Sequence, residues 1–413
     1  MPDVQLEMDE VDLVIGGEVQ RQPCEVVLRT DPCPRLTFRV SGMNPLVTLG
    51  AGFGAESKFS MHIVNADVVC EVFLSACNGD VVEFSPYSEP VTVGGSGSLA
   101  RVNFDLINFP GFHVLHGPAA SNERDRLDVI ASGWCVEIRL PRHSVDIDAF
   151  RSSLYSVTHS CTMRRSDGAT FSSDEARDIL IALCDTLSFA AGRWVAPVFV
   201  AGSGNDEKVV WKQWGSGRIL PDVSTGGTWF DAHHADSLTE ILSGLLDLRK
   251  SPERAEAFNV ALYWYVRSGA NAAGVDGGLV LLQAALERLC WQRFVIGRRA
   301  LSRGGFGKLP AEDHIRLLIE DCGIPTSIPP DLMTLQSEAK ARNWMDGPQA
   351  LAAARNLLVH PEKLQPLPWP ELWKLATWYL ELVLLNTLGF AGQYSNRTLA
   401  RRFVGAVERV PWV

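Results

Sequence analysis

Ala352-Ala-Ala-Arg355-Asn356-Leu-Leu-Val-His360-Pro361-Glu-Lys363 opens as a good helix former and closes on a proline. Four residues separate Asn356 from His360, which puts them on one helix face, while Arg355 lies about 140° round the axis from His360. The residue before a proline is pushed out of the α region, so His360 is expected to be the last helical residue or the cap. There the negative end of the helix dipole favours an imidazolium. A permanent guanidinium beside a histidine that titrates near neutrality suits phosphodiester chemistry: arginine clamps phosphate and histidine moves the proton. On spacing alone, an exposed arginine and a C-capping histidine fit equally well.

Outward from this stretch the pattern is helical. Asp236 to Arg249 and Pro252 to Arg267 read as helices, the second with Ser251 as N-cap and Pro252 at its first position. Gly277 to Arg298 carries Leu279, Leu282, Leu286 and Leu289 as a core stripe, with Gln283, Glu287 and Trp291 in a row beside it. Asp313 to Cys322 stops at Gly323. Leu332 to Trp344, Pro348 to His360 and Pro370 to Phe390 complete a bundle. The last is apolar nearly all round, so it is either central to the bundle or shared across a dimer interface.

The Arg355-Asn356-x3-His360 spacing resembles the R-x4–6-H signature of HEPN-domain ribonucleases, most closely the abortive-infection (ApeA-type) members. The flanks carry the resemblance too: Leu281-Leu-Gln-Ala-Ala-Leu-Glu287-Arg-Leu before the motif and Leu388-Gly-Phe-Ala-Gly-Gln-Tyr394 after it. It covers roughly the last 180 residues well and the N-terminal half only in outline. What it implies is a metal-independent endoribonuclease without cofactor, a toxic effector of anti-phage abortive infection. Such domains dimerise and bring two motifs into one cleft. His360 is then the general base or acid, Arg355 stabilises charge on the scissile phosphate, and Asn356 orients one of them or positions the phosphate. Glu287 matches an acidic position of the preceding helix and is a candidate partner of Arg355, or else an exposed helix glutamate. The products would carry a cyclic phosphate. A noncatalytic HEPN-like binding or scaffolding protein is the alternative.

At 413 residues the chain is long enough for two or three domains, and 46% hydrophobic against 21% charged residues describes a folded protein. Nine scattered cysteines without a C-x2-C pair argue against a zinc site and for reduced thiols in the cytoplasm. The acidic start lacks a signal sequence, and the most apolar stretch, Trp373 to Phe390, contains Lys374, Glu381 and Asn386, so no membrane segment is expected.

Residues 11 to 140 read as strands, among them Cys24 to Thr30, Leu36 to Val40, Lys58 to Val64, Val68 to Leu74, Leu99 to Leu106 and Trp134 to Leu140. Regular turns between short strands argue for a sandwich or open barrel. From Pro141 onward a helix from Ser173, with Ser173 as N-cap, and strands at Trp194 and Val209 suggest an α+β extension. Gly215 to Gly227 is the candidate linker. The expected fold is thus α+β multidomain: a β-rich, sandwich-like domain over 1–140, its α+β extension over 141–228, and an all-α HEPN-like bundle over 231–413. Gly50 to Ala55 lacks the helix of a dinucleotide loop, Gly94 to Gly97 lacks a phosphate-loop ending, and His113 and His116 lack a third metal ligand.

Charge is uneven. Residues 231–413 hold 20 Lys+Arg and 19 Asp+Glu, leaving 18 basic and 29 acidic residues on the first 230. RNA is therefore expected at a local patch of the C-terminal part, while the acidic N-terminal part is expected to face proteins or small ligands, or to hold the other half in check. A phage-derived or protein trigger at the N-terminal region is what the resemblance implies. Between Glu287 and Glu312 there is no acidic residue but six basic ones, of which Arg298, Arg299 and Arg303 are the candidate RNA contacts. Arg397, Arg401, Arg402 and Arg409 form a second basic cluster.

Overall fold

The computed structural model describes residues 3–15, 18–43, 58–95, 97–112, 126–140, 155–221, 227–269, 274–359 and 366–413. Contact density divides the chain into two compact units. One comprises Met1–Phe109, Gly133–Cys184 and Val195–Val223; the other comprises Pro110–Ser132, Asp185–Trp194 and Ser224–Val413. The N-terminal region is β-rich and the C-terminal region is helical.

In the first unit, β1 (Val4–Ile15), β2 (Glu18–Arg29), β3 (Arg35–Ser41), β4 (Phe59–Ile63), β5 (Val68–Asn78) and β6 (Val81–Pro86) form a closed antiparallel barrel in the order β1-β2-β3-β6-β5-β4. Among the described residues these strands form a closed barrel where a sandwich or open barrel is expected, and the reason lies in β1. Its apolar positions run 4, 6, 8 and then 11, 13, a phase slip that hides the strand from an alternation test. A bulge at Leu6 absorbs the slip: Gln5 pairs with Val27 and Glu7 with Val26. Beyond it Val11 and Leu13 point inward, and Leu13 lies opposite Met61 of β4, which closes the barrel. Closure pairs the second edge of β1 at Val11–Leu13 with β4. The seam is reinforced by buried Asp9, whose carboxylate accepts the backbone N–H groups of Glu10, Asn65 and Ala66 at 2.7, 3.0 and 3.2 Å. Phe38 faces Phe84 across β3 and β6 in the same core.

The first unit also holds β7 (Val91–Gly94), β8 (Arg101–Ile107), β10 (Trp134–Arg139), β11 (Val157–Arg165), β12 (Pro197–Ser203) and β13 (Val209–Trp214), in the sheet order β7-β13-β12-β8-β11-β10; β9 (Arg126–Ala131) is counted with the second unit. Helix α1 (Ser173–Ala191) is capped one residue earlier than expected. Ser172 Oγ accepts the Glu175 N–H at 3.2 Å while the Glu175 carboxylate accepts the Ser172 N–H at 2.9 Å, a reciprocal capping box, and Ser173 Oγ instead donates to the Gly95 carbonyl.

His159 on β11 is fully buried, with Nδ1 3.0 Å from Thr158 Oγ1 and its ring edge-on to Phe109. Burial pushes its imidazolium down to about 4 from the ordinary 6.5. The folded protein therefore binds this proton less readily than the unfolded chain, so stability is intact above pH 6.5 and falls as pH drops toward 4. By linkage the expected loss from this group is about 2 kcal/mol at pH 5. Urea midpoints from pH 7 to 5 should fall accordingly in the wild type and stay flatter in His159→Gln; equal slopes would refute the assignment.

The second unit contains α2 (Ser237–Leu248), α3 (Pro252–Ser268), α4 (Gly274–Trp291), α5 (Arg303–Phe306), α6 (Ala311–Asp321), α7 (Met333–Arg342), α8 (Gly347–Val359) and α9 (Trp369–Thr387), followed by the small β14 (Gln393–Tyr394) and β15 (Glu408–Arg409) ladder. The stripe Leu279, Leu282, Leu286 and Leu289 is buried as its spacing predicts, and α4 packs on α3, α6, α8 and α9. α4 does not run unbroken to Arg298: after Trp291 it widens into a π-helical turn, Gln292–Gly297. Gly323 stops α6 at φ +69°, a conformation glycine adopts without penalty. Every residue of α9 from Leu375 to Leu385 is buried within the single chain. The helix is therefore central to the bundle, and its apolarity is no argument for a dimer.

Among the described residues, no helix is long and apolar enough to cross a membrane. The glycine run Gly50 to Ala55, His113 and His116 lie outside the described residues, as do 222–226 of the candidate linker.

Candidate functional site

The motif helix α8 is anchored at its start and open at its end. Asp346 accepts the Gln349 N–H at 2.9 Å, and Gln349 Oε1 accepts the Met345 N–H at 2.6 Å. The carboxylate is held in turn by Arg316 of α6, whose Nε and Nη2 donate at 2.7 and 3.1 Å. These bonds from Asp346 raise the Arg316 guanidinium further above its ordinary range. Next to the cap, Gly347 donates to the Thr326 carbonyl at 2.8 Å, and Tyr379 Oη of α9 donates to the same oxygen at 3.1 Å. Ala350, Leu351, Ala352 and Ala354 are buried, the small residues allowing close approach.

No side chain fits at Gly347: a Cβ there would lie 2.3 Å from Tyr379 Oη and 3.1 Å from the Thr326 carbonyl. Gly347→Ala is expected to cost about 1–3 kcal/mol by overpacking. Adding Tyr379→Phe should recover part of it, as read by thermal unfolding of both variants. A single variant as stable as wild type would show that the start of α8 is not tightly held.

Burial then declines along the helix. Arg355 is half-buried and Asn356 exposed, and Arg355 Nη1 donates to Asn356 Oδ1 at 3.4 Å. Among the described residues Arg355 has no carboxylate partner. His360, the third residue of the motif, lies outside the described residues. Glu287 on α4 is half-buried and forms no ion pair with Arg355, although α4 and α8 pack together. Burial pushes the Cys290 thiol, one turn on, up to about 12, and the Glu287 charge adds to the rise. The motif arginine and amide are thus adjacent, and the glutamate is separate.

The basic clusters are smaller than their sequences suggest. Arg298 donates to Asp321 of α6, as does Arg293, and the Arg298 guanidinium sits 5.8 Å over the Phe294 ring. Arg299 and Arg303 are exposed, Arg299 at φ +52° and Arg303 at the start of α5 behind its cap Ser302. In the tail, Arg397 turns inward to buried Glu381, and half-buried Arg402 donates to Ser395 Oγ at 2.7 Å. Arg401 and Arg409 remain on the surface.

Two groups of polar residues escaped the sequence reading. The first is centred on Glu381, fully buried in the middle of α9. It accepts Nη2 and Nε of Arg397 at 2.6 and 3.0 Å, the Tyr265 hydroxyl at 2.7 Å and the Trp229 N–H at 3.2 Å. Burial alone would lower the Arg397 guanidinium; the Glu381 carboxylate more than offsets it and raises it above its ordinary range. The second is a cleft on the π-helical turn, to which Asn386 of α9 contributes. The available signal for both was a charge and an amide inside an otherwise apolar helix, since buried polar groups demand partners.

No solved structure matches the chain at a significant level. The chain is 27% identical over 322 residues, 76% of its length and 72% of the other protein's, to the SPbeta prophage-derived uncharacterized protein YopA of Bacillus subtilis (strain 168). Residues 94–224, which carry most of the second sheet and α1, are similar to the YopA central domain, and residues 251–408, which carry the bundle from α3 onward, to the YopA C-terminal domain.

Proposed function

We propose that the chain is a metal-independent endoribonuclease of the HEPN type, with Arg355, Asn356 and His360 as its catalytic set. The observation that carries the reading is the state of Arg355: it stands at the open end of a firmly anchored helix and has no carboxylate partner among the described residues. Its charge is therefore available to a phosphate. His360 takes the proton of the ribose 2′-hydroxyl or returns one to the leaving oxygen, while Arg355 stabilises charge developing on the phosphorane and Asn356 orients the guanidinium. Two copies of the bundle would pair to complete the cleft. The acidic N-terminal region would act as the sensor that releases the nuclease on a phage-derived or protein cue. A relative named as prophage-derived fits a setting of conflict among phages.

The test is incubation of total RNA with the purified full chain in excess chelator, with fragment ends typed chemically. Fragments ending in cyclic phosphate, made by wild type and absent with Arg355→Ala, are the expected result, together with growth arrest on expression of the wild type alone. Fragments that persist with Arg355→Ala, or silence in the tube together with unimpeded growth, would favour a noncatalytic scaffold.

A further inference from the structure

The helical unit carries a cleft that the proposed cleavage does not use. Its volume is about 380 Å³, and no residue of α8 lines it. The wall comes from the π-helical turn: widening of the helix after Trp291 brings Gln292, Arg293 and Arg298 to one side, closed by the Arg298 N–H on the Arg293 carbonyl at 2.9 Å. Such turns frequently sit at functional sites. Arg299 follows directly at φ +52°, a left-handed conformation that costs a non-glycine residue energy.

The charges are arranged for an anion. Arg293 is fixed between Asp321 and Asn386 Oδ1, the latter at 3.1 Å, so its fork is oriented before anything binds. Arg298 shares the same Asp321. From α3 comes Arg254, exposed and without an ion-pair partner among the described residues. Three arginines thus line one cleft, two of them sharing the single carboxylate of Asp321, which leaves a formal excess of two positive charges. The remaining wall is apolar, formed by Ala257, Leu289 and Leu318.

We infer that this cleft binds a small phosphate monoester of nucleotide size. The two surplus charges match a phosphate dianion held by Arg254, Arg293 and Arg298, and the apolar wall takes the uncharged part of the ligand. An RNA strand fits the arrangement less well, because it calls for a track of charge along successive phosphates and this charge is confined to one cleft. The inference does not rest on the ribonuclease reading, and Arg355→Ala should leave this binding unchanged.

Calorimetric titration of the purified full chain with adenosine, guanosine, cytidine and uridine 5′-monophosphates, inorganic phosphate and plain adenosine tests it. At least one nucleotide should bind, phosphate should compete, and adenosine should give no heat. Arg254→Gln and Arg298→Gln should each weaken binding about tenfold, as loss of a charge-assisted contact does. Arg293 is left intact because it also ties Asp321 to Asn386, and circular dichroism checks that both variants fold. The inference is overturned by absence of binding to any nucleotide or phosphate up to about 10 mM, the weak end of specific affinity. It is also overturned by affinity indifferent to both substitutions. A 5′-phosphorylated ribo-oligomer that binds more than about a hundredfold tighter through the same arginines would assign the cleft to RNA instead.

Discussion

Arg397→Ala is expected to lower the stability of the helical unit by about 3–5 kcal/mol, the cost of leaving a buried charge without its partner. Glu381 has no solvent-exposed surface, and its four hydrogen bonds come from Arg397, Tyr265 and the Trp229 backbone. Removing the guanidinium strands a carboxylate in the middle of α9, where water cannot reach it without opening the bundle. Charge and geometry can be separated by a pair of further variants. Glu381→Gln keeps an acceptor for Tyr265 and should cost less than Arg397→Ala. The double variant Glu381→Leu with Arg397→Met removes both charges and should restore much of the loss, because a buried ion pair often does no better than an apolar pair of similar volume. Urea denaturation followed by tryptophan fluorescence reads all four proteins, Trp229 lying beside the pair. A cost below about 1 kcal/mol for Arg397→Ala would mean that Glu381 is hydrated or protonated and that the pair does not hold the tail to the bundle.

If the chain cleaves RNA as proposed, Arg355→Ala should leave the fold alone and remove that activity. The side chain is half-buried and its one hydrogen bond is to its neighbour Asn356, so the stability change is expected within about 0.5 kcal/mol. Cleavage of RNA should fall by about 10²–10³, the usual loss when a charge-stabilising donor is removed. Arg355→Lys should recover only part of it, since an ammonium supplies charge without the bidentate fork. His360→Ala should fall by about 10²–10⁴ and flatten the pH dependence of cleavage near neutrality. The double variant should be little worse than the poorer single one, because in the proposed mechanism the two groups would act on one transition state. Asn356→Asp offers a sharper contrast: it puts a carboxylate where Arg355 now donates to an amide and should depress cleavage more than Asn356→Ala. Activity unchanged in Arg355→Ala, measured as initial rates on the same RNA, would remove this residue from the catalytic set.

The helices were legible because their information is local. The leucine stripe of α4 and the Gly323 stop after α6 appear in the structure where periodicity and punctuation put them. The Arg355-Asn356 pair was legible for the same reason, as neighbours on one helix need no tertiary contact to be placed together. β1 was missed because a bulge at Leu6 breaks its alternation, and barrel closure was missed because pairing of β1 with β4 joins residues some fifty positions apart. Counting acids and bases along the chain also misled. The acid-free run from Glu287 to Glu312 looks unneutralised until α6 brings Asp321 to Arg293 and Arg298, and Arg397 looks like surface charge until Glu381 takes it inside.

Alone, then, the sequence determined most of the helices and a part of the strands, an acidic β-rich part ahead of a helical one, and the presence of an arginine and an amide side by side on one helix. Those features follow from interactions within a few residues. Which charges remain free for a ligand, where a cleft opens and which helix is central were decided only by the tertiary structure. Electrostatic neutralisation and burial depend on groups distant in sequence, and in this protein they spend some of the conspicuous arginines inside the fold while leaving Arg254 and Arg355 without a carboxylate among the described residues.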